Sequence, residues 1–265
     1  MPVANIPAFA DHLATLSGAV ILPFFRAAVS AEDKSRGGVF DPVTEADRGA
    51  ERVIRQAIKA AFPDHGIICE EYGAENADAE HVWILDPIDG TKSFISGLPL
   101  WGTLIALQRR GRPIYGMMHQ PFTGERFFGD GSTAHWRGRG ADGASAGKQL
   151  RTRPCAALAE ATVMTTSPLL LTELQRQKYC SVEKQARLHR YGGDCYAYCM
   201  VASGHVDLVI EAGLKPYDIA ALIPIVEGAG GVVTTWDGGD AAGGGAIIAA
   251  GDRRAHAAAL QLLAS

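Results

Sequence analysis

The acidic residues of this 265-residue chain stand where carboxylates can do chemistry. Asp86-Pro87-Ile88-Asp89-Gly90-Thr91 sets two carboxylates three residues apart on a turn that Pro87 stiffens and Gly90 allows to bend. If such a pair is enclosed it needs a positive partner, and a hard divalent cation bound by oxygen is the economical one. Mg2+ fits, because it keeps waters and binds a few carboxylates together with phosphate oxygens. Gly90 and Thr91 can open a helix whose unpaired N–H groups favour a phosphate. The plainer alternative is a turn whose Asp side chains bond their own backbone. Other acids occupy comparable places. Glu70-Glu71 close the apolar run Ile67-Ile68-Cys69, and Asp218 opens a helix after Lys215-Pro216-Tyr217. Asp47 falls in the first helical turn after a capping box, Thr44-Glu45-Ala46-Asp47. Taken singly, each passes as a cap, a helix-start acid or a solvated loop.

The elements around them are legible from periodicity. Phe9, Leu13, Leu16, Val20 and Phe24 recur at helical steps, and the stretch from Asp33 to Phe40 interrupts them. Val53, Ile54, Ala57, Ile58 and Phe62 mark a second helix, stopped by Pro63-Asp64-His65-Gly66. Strands are expected at 67–69, 82–85, 101–108, 113–119, 125–128 and 134–136, with a hairpin loop at Arg109-Arg110-Gly111-Arg112. Their short connections favour antiparallel pairing. The Gly-, Ala- and Arg-rich stretch 138–154 is read as a boundary between subdomains 1–145 and 146–265. Beyond it, helix at 195–202, strand at 206–210, helix at 219–226, strands at 232–233 and 247–248 and helix at 255–263 alternate as layered α/β structure. In open α/β sheets ligands gather at the carboxyl ends of strands, which is where these acids lie.

Composition narrows the function classes. The net charge is −4, with no concentrated positive field for a nucleic acid. Hydrophobic residues make up 47%, which excludes general disorder. No uninterrupted apolar run reaches the ~18–20 residues of a membrane span, and no basic residue precedes the apolar stretch 18–25 as in a signal peptide. An odd count of five cysteines is read as reduced thiols in a cytoplasm. Cys195 and Cys199 are taken as small buried hydrophobes, since no second pair completes a metal site.

In combination the acidic stretches resemble the inositol-monophosphatase-like superfamily of Mg2+-dependent phosphatases. The resemblance rests on Asp41-Pro42-Val43-Thr44-Glu45-Ala46-Asp47, Glu70-Glu71, Trp83-Ile84-Leu85-Asp86-Pro87-Ile88-Asp89-Gly90-Thr91, and Pro216-Tyr217-Asp218-Ile219-Ala220-Ala221 with Glu227-Gly228-Ala229-Gly230-Gly231. Within it the chain is most similar to the histidinol-phosphate phosphatase branch, through Thr91-Lys92-Ser93-Phe94-Ile95-Ser96-Gly97, Pro99-Leu100-Trp101-Gly102-Thr103 and Gly192-Gly193-Asp194-Cys195-Tyr196.

The resemblance implies an α/β (α+β) fold, a layered αβαβα sandwich of the inositol monophosphatase and fructose-1,6-bisphosphatase type. It implies two to three Mg2+ ions. Glu70, Asp86 and the Ile88 carbonyl would bind one; Asp86, Asp89 and Asp218 a second; a third would rest on Glu70 through waters. Asp47 and Thr91 would orient the attacking water, and the backbone of Gly90 and Thr91 would help to hold the phosphate. Most metal ligands then fall in the N-terminal subdomain, and Asp218 with the specificity residues in the C-terminal one. Glu211 and Asp194 would face the alcohol part of the substrate, where two carboxylates suit the ammonium and imidazole of L-histidinol phosphate. For Asp194 the alternative is a cap on the following helix. A cytoplasmic homodimer acting in histidine biosynthesis on a small phosphorylated substrate, with neither nucleic acid nor membrane as partner, completes the expectation. The alternatives are a sibling phosphatase of inositol monophosphate, another sugar phosphate or a phosphoadenosine nucleotide, and, in another class, a phosphate-ligand sensor without turnover.

Competing motifs lack their context. Gly138-Arg139-Gly140-Ala141-Asp142-Gly143 matches G-x-G-x-x-G but neither follows a firm strand nor opens a helix, and is read as a hairpin loop. No P-loop, G-x-S-x-G or H-E-x-x-H is present, and acids three apart disfavour an aspartyl nucleophile, which wants D-x-D.

Overall fold

The apolar periodicities become helices and strands whose order is best given along the chain. The computed structural model describes residues 5–27, 31–33 and 42–264, with the backbone alone at 31–33 and 42–44. Asp41 and the expected break at 34–40 lie outside these residues, and of the expected cap Thr44 only the backbone is described. The elements are α1 (Ile6–Ile21), β1 (Ala31–Asp33), β2 (Pro42–Thr44), α2 (Glu45–Ala61), β3 (Gly66–Cys69), β4 (Gly73–Glu75), β5 (His81–Asp89), α3 (Thr91–Ile95), β6 (Gly102–Arg109), β7 (Arg112–Gln120), β8 (Glu125–Gly129), β9 (Ala134–Arg139) and β10 (Ser145–Gln149). Then follow β11 (Thr162–Thr165), α4 (Glu173–Glu183), β12 (Leu188–Tyr191), α5 (Asp194–Ala202), β13 (Leu208–Leu214), α6 (Pro216–Ile219), α7 (Leu222–Gly228), β14 (Val232–Thr235), β15 (Gly245–Ala250) and α8 (Arg253–Ala264).

An eight-stranded sheet in the order β10-β9-β8-β7-β6-β5-β3-β4 runs through Gln149, and a five-stranded sheet in the order β12-β11-β13-β15-β14 begins at Thr162. From β5 to β10 the first sheet is an antiparallel meander, while β3 and β5 are parallel. The β6–β7 hairpin turns at Arg110 and Gly111, both at positive φ (51° and 81°), as a two-residue primed turn requires.

Strand alternation builds the layers. Ile105 and Leu107 of β6 pack with Leu13 of α1 and Ile54 and Ile58 of α2. Leu104 and Ala106 of the same strand face the other way, onto Cys199, Ile219, Leu222 and Ile225 of α5–α7. That middle helical layer also meets Val209, Ile247 and Ala249 of the second sheet. The sheet's far face, Leu208, Ile210, Ile248 and Ala250, is covered by Tyr179 and Val182 of α4 and Ala255, Ala259 and Leu263 of α8. The sequence of layers is therefore αβαβα, as expected. By length and composition Ile6–Phe24 is the described helical stretch that could span a bilayer, but Ala10, Leu13, Ala14 and Ile21 within it are fully buried in the protein core.

Three expectations are corrected. The single helix at 219–226 is two: α6 ends at Ile219 and α7 starts at Leu222. Pro224 is the cause, since it has no N–H to give Ala220 and its ring crowds that carbonyl. The strand at 206–210 is β13, which continues to Leu214 through a bulge after Glu211. Glu211 therefore lies within the strand. The boundary stretch 138–154 contains β10, an edge strand whose backbone pairs with β9 although its side chains are largely exposed.

The middle layer touches the first sheet through glycine. A Cβ on Gly116 of β7 would overlap the Ala221 carbonyl and come 2.8 Å from Pro224 Cγ. Gly116→Ala is expected to cost about 1–3 kcal/mol, the usual price of overpacking a core, read as a lower urea midpoint. An unchanged midpoint would show that β7 and α7 separate without strain.

Candidate active site

The convergence of the acids begins with an irregularity in β5. Against β6, Asp86 pairs with Leu104 and Asp89 with Gly102, so three steps on β5 match two on its neighbour. In a regular strand, residues three apart point to opposite faces. The extra residue cancels that inversion. Asp86 and Asp89 thus share a side, and Asp218, from the first turn of α6, meets them there. Among the described residues these three carboxylates have ligand atoms all within 4.8 Å of one another.

Each carboxylate is aimed by a backbone donor. Ile88 N–H donates to Asp86 Oδ1 (3.1 Å), Cys195 N–H to Asp89 Oδ2 (2.7 Å) and Lys215 N–H to Asp218 Oδ2 (2.6 Å). Behind the bulge, Thr103 donates to the Pro87 carbonyl (2.8 Å) and lies 3.1 Å from the Ser17 hydroxyl of α1, both side chains being fully buried.

The cluster lines a cavity of about 210 Å³. Glu70, Asp86, Ile88, Asp89, Gly90, Thr91, Asp194, Glu211 and Asp218 all contribute to its wall, so the structure brings together every expected site residue but one. Asp47 is the exception: it is buried on α2 behind the wall, though near enough for its charge to act on Asp86.

Burial, then the Glu70 carboxylate, then Asp89, Asp218 and Asp47 push the Asp86 carboxyl well above the usual carboxylate range. Burial first and Asp194 next raise Asp89, against the hydrogen bonding from Cys195. The protein alone therefore favours protons on this cluster, and a divalent cation is the natural substitute for them.

Gly90 precedes α3 in a left-handed conformation (φ 84°), and the first intrahelical bond, Phe94 N–H to the Gly90 carbonyl, follows at 3.0 Å. The N–H groups of Thr91, Lys92 and Ser93 come before that bond. The Thr91 hydroxyl donates to the Ile88 carbonyl at 3.2 Å.

Asp194 does not cap α5. Gly193 occupies the N-cap, without a side-chain bond, and Asp194 takes φ 43° in the first turn. Its carboxylate accepts from Ser93 Oγ (2.7 Å) and Thr166 Oγ1 (3.4 Å), and it lies against the Gly90 turn: a Cβ on Gly90 would be 3.0 Å from Asp194 Cγ and Oδ2. Burial raises its carboxyl, opposed by Ser93, Thr166 and the Lys92 charge. Glu211 accepts from Thr166 N–H (2.9 Å), the Thr166 hydroxyl and Tyr198 OH (3.0 Å), and burial raises it too.

Sequence reasoning missed several of these partners. Thr166 and Tyr198 carry no motif. Glu51 had a signal: an acid one turn after Asp47, among the apolar positions Ala46, Ala50, Ile54 and Ile58 of α2. Trp101, beside the site, is core, packed against Phe94 and Phe25.

Five alternating layers thus surround a small acid-lined cavity whose clustered carboxylates are hard oxygen donors. The profile of the inositol monophosphatase family matches residues 3–265, and the chain belongs to that family. It is 44% identical over 234 residues to the chloroplastic bifunctional phosphatase IMPL2 of Arabidopsis thaliana, covering 87% of this chain and 64% of that protein, so it spans less than two thirds of that relative. It is 39% identical over 191 residues to a histidinol-phosphatase of Chlorobaculum parvum, covering 72% and 71% of the two chains. Among solved structures, an inositol monophosphatase from Zymomonas mobilis is 38% identical, with a TM-score of 0.86 over the whole of both chains.

Proposed function

We propose that the chain is a Mg2+-dependent phosphomonoesterase that hydrolyses L-histidinol phosphate to L-histidinol and phosphate, as a homodimer in the cytoplasm. The donor set fits the ion: clustered carboxylates are hard oxygen ligands, already aimed by backbone N–H groups and costly to leave as bare charges. Glu70, Asp86 and the Ile88 carbonyl would hold one ion, Asp86, Asp89 and Asp218 a second, and Glu70 a third. Mg2+ bound there would supply Lewis-acid polarisation of the phosphoryl oxygens and a lower pKa for water.

The chain's own groups do the rest. Thr91 and Asp47 would orient the attacking water, Thr91 from the cavity wall and Asp47 from its buried place behind that wall. The backbone N–H groups at Gly90 and Thr91 hold the phosphate, and Asp194 and Glu211 receive the alcohol end.

The observation that carries the substrate is the place of Asp194. A buried carboxylate beside a phosphate turn repels a neutral-alcohol phosphate and gains from a substrate that brings its own cation, which the histidinol ammonium does. The Chlorobaculum histidinol-phosphatase supports this reading; the Zymomonas inositol monophosphatase supports a sibling activity on inositol phosphate.

A phosphate-release panel separates them: histidinol phosphate, inositol 1-phosphate, fructose 1,6-bisphosphate and phosphoadenosine phosphate, each with Mg2+ and with EDTA. Asp194→Asn is expected to raise KM for histidinol phosphate by about 10–100-fold, the worth of a charged hydrogen bond, and to change KM for inositol 1-phosphate by less than about twofold. Equal effects on both substrates would remove the cation-reading role. Preference of the unaltered protein for inositol phosphate would replace the substrate and leave the phosphatase. Ligand binding without release of phosphate would favour the sensor.

A further inference from the structure

Glu51 is a fully buried carboxylate on α2, one turn after Asp47 and on the same face of the helix. It lines no part of the cavity. Its Oε2 accepts the Glu71 N–H at 2.8 Å and its Oε1 the Tyr72 N–H at 3.1 Å. Oε1 also accepts Arg55 Nε at 2.6 Å, and Arg55 donates in turn to the Gly73 carbonyl. One side chain thus fixes two successive peptide planes in the turn between β3 and β4, and Arg55 ties the far end of that turn to the same helix. Glu70, which lines the cavity and whose charge is felt by Asp86, is the first residue of this turn.

We propose that Glu51 is a positioning residue for the cation site: it sets the direction in which Glu70 enters the cavity, and so the affinity for the divalent ion. The inference rests on the metal-dependent reading given above and deepens it. A buried charge is a costly way to tie down a turn, and a Ser or Asn satisfies one N–H more cheaply. What a carboxylate adds is two acceptors held rigidly on one plane, so that adjacent N–H groups are fixed together. Arg55 offsets its charge. Asp47 and Glu51 lie on one helical turn, so the helix that carries the expected water-orienting acid also sets the position of the Glu70 ligand.

The test measures binding of Mg2+ to the metal-stripped protein by titration calorimetry, beside the Mg2+ dependence of phosphate release. Glu51→Gln keeps the size of the side chain and removes one acceptor and the charge. It is expected to weaken Mg2+ binding about 10–100-fold, as loss of a partner behind a metal ligand does, and to raise the Mg2+ concentration for half-maximal activity in parallel. At saturating Mg2+, kcat is expected to fall less than about threefold, because the ligands themselves are intact.

Ile58→Val thins the core contact of the same helix away from the cavity. It separates positioning from support: it is expected to lower Tm with Mg2+ affinity unchanged. If Glu51→Gln folds and binds Mg2+ like the unaltered protein, or if Ile58→Val weakens binding as much, Glu51 is only a strut. If Glu51→Gln does not fold, Glu51→Asp, with the charge kept and the reach shortened, takes the same measurement: unaltered affinity overturns the proposal and weakened affinity supports it. Failure of the unaltered protein to bind any divalent ion overturns the metal-dependent reading itself.

Discussion

Asp86→Asn is expected to lower kcat/KM for any phosphomonoester substrate by about three orders of magnitude and, in the same variant, to raise the melting temperature of the metal-free protein at pH 8. The loss follows from the position of Asp86, which both expected ion sites share. A cation at a phosphoryl group supplies several kcal/mol of charge stabilisation, and about 4 kcal/mol is a thousandfold in rate. The gain in stability has the same origin. Asp86 is buried and faces Glu70, Asp89 and Asp218, so its negative charge is opposed by its surroundings whenever no cation offsets it. Asparagine retains an oxygen for the Ile88 N–H and removes the charge. Steady-state kinetics at saturating Mg2+ and melting in EDTA check both halves. Activity within tenfold of the unaltered protein would show that Asp86 is not central to catalysis, and a lower metal-free melting temperature would contradict the charge argument.

Removing divalent cations is expected to lower the melting temperature by about 5–10 °C at pH 8 and far less at pH 5.5. The carboxyls of Asp86 and Asp89 have raised pKa values in the folded protein. The folded state therefore binds their protons more tightly than the unfolded chain does. In the metal-free protein this contribution favours folding at low pH and is lost as the pH rises through and above the ordinary carboxylate range. A bound cation takes over the protons' role at high pH and competes with them at low pH. At an ion concentration 100 times its Kd, the linkage is worth about 2.7 kcal/mol, and for a chain of this size 1 kcal/mol is about 2–4 °C. Scanning calorimetry with Mg2+ and with EDTA at the two pH values checks this; an equal effect at both would mean that the cation does not replace protons on this cluster.

The turn from Asp86 to Thr91 was legible because its chemistry is local: two acids, a proline and a glycine in six residues. Strands such as 113–119 were legible because continuous apolar runs leave few other options. What sequence could not supply was the bulge. Nothing in the residues at 86–89 states that β6 will match three steps with two, and without that count Asp86 and Asp89 point apart. Glu211 falls just past the strand expected at 206–210 for a related reason: an acid after an apolar run suggests the strand's end, but here Thr166 and Tyr198 satisfy its carboxylate and the strand continues. β12 went unread because its four residues, Leu188–Tyr191, are all exposed and carry no alternation; their strand geometry comes from backbone pairing with β11. Asp194 illustrates the limit of a short-range rule. An acid at the start of a helix suggests a cap, but the cap belongs to Gly193, and the carboxylate is spent on Ser93, a hundred residues away in sequence.

The wall of the cavity is drawn from separate lengths of chain. Glu70, Asp86, Asp89, Gly90 and Thr91 come from the first sheet and its turns, while Thr166, Asp194 and Glu211 come from the second sheet and the helix between the two. Asp218, the third member of the carboxylate cluster, comes from the later stretch of chain too, so neither half completes the cluster alone. A change confined to Thr166, Asp194 or Glu211 alters one side of the wall and leaves the side chains of Asp86, Asp89 and Thr91 in place. Assembly of the cluster is therefore a readout of whether the two sheets have docked.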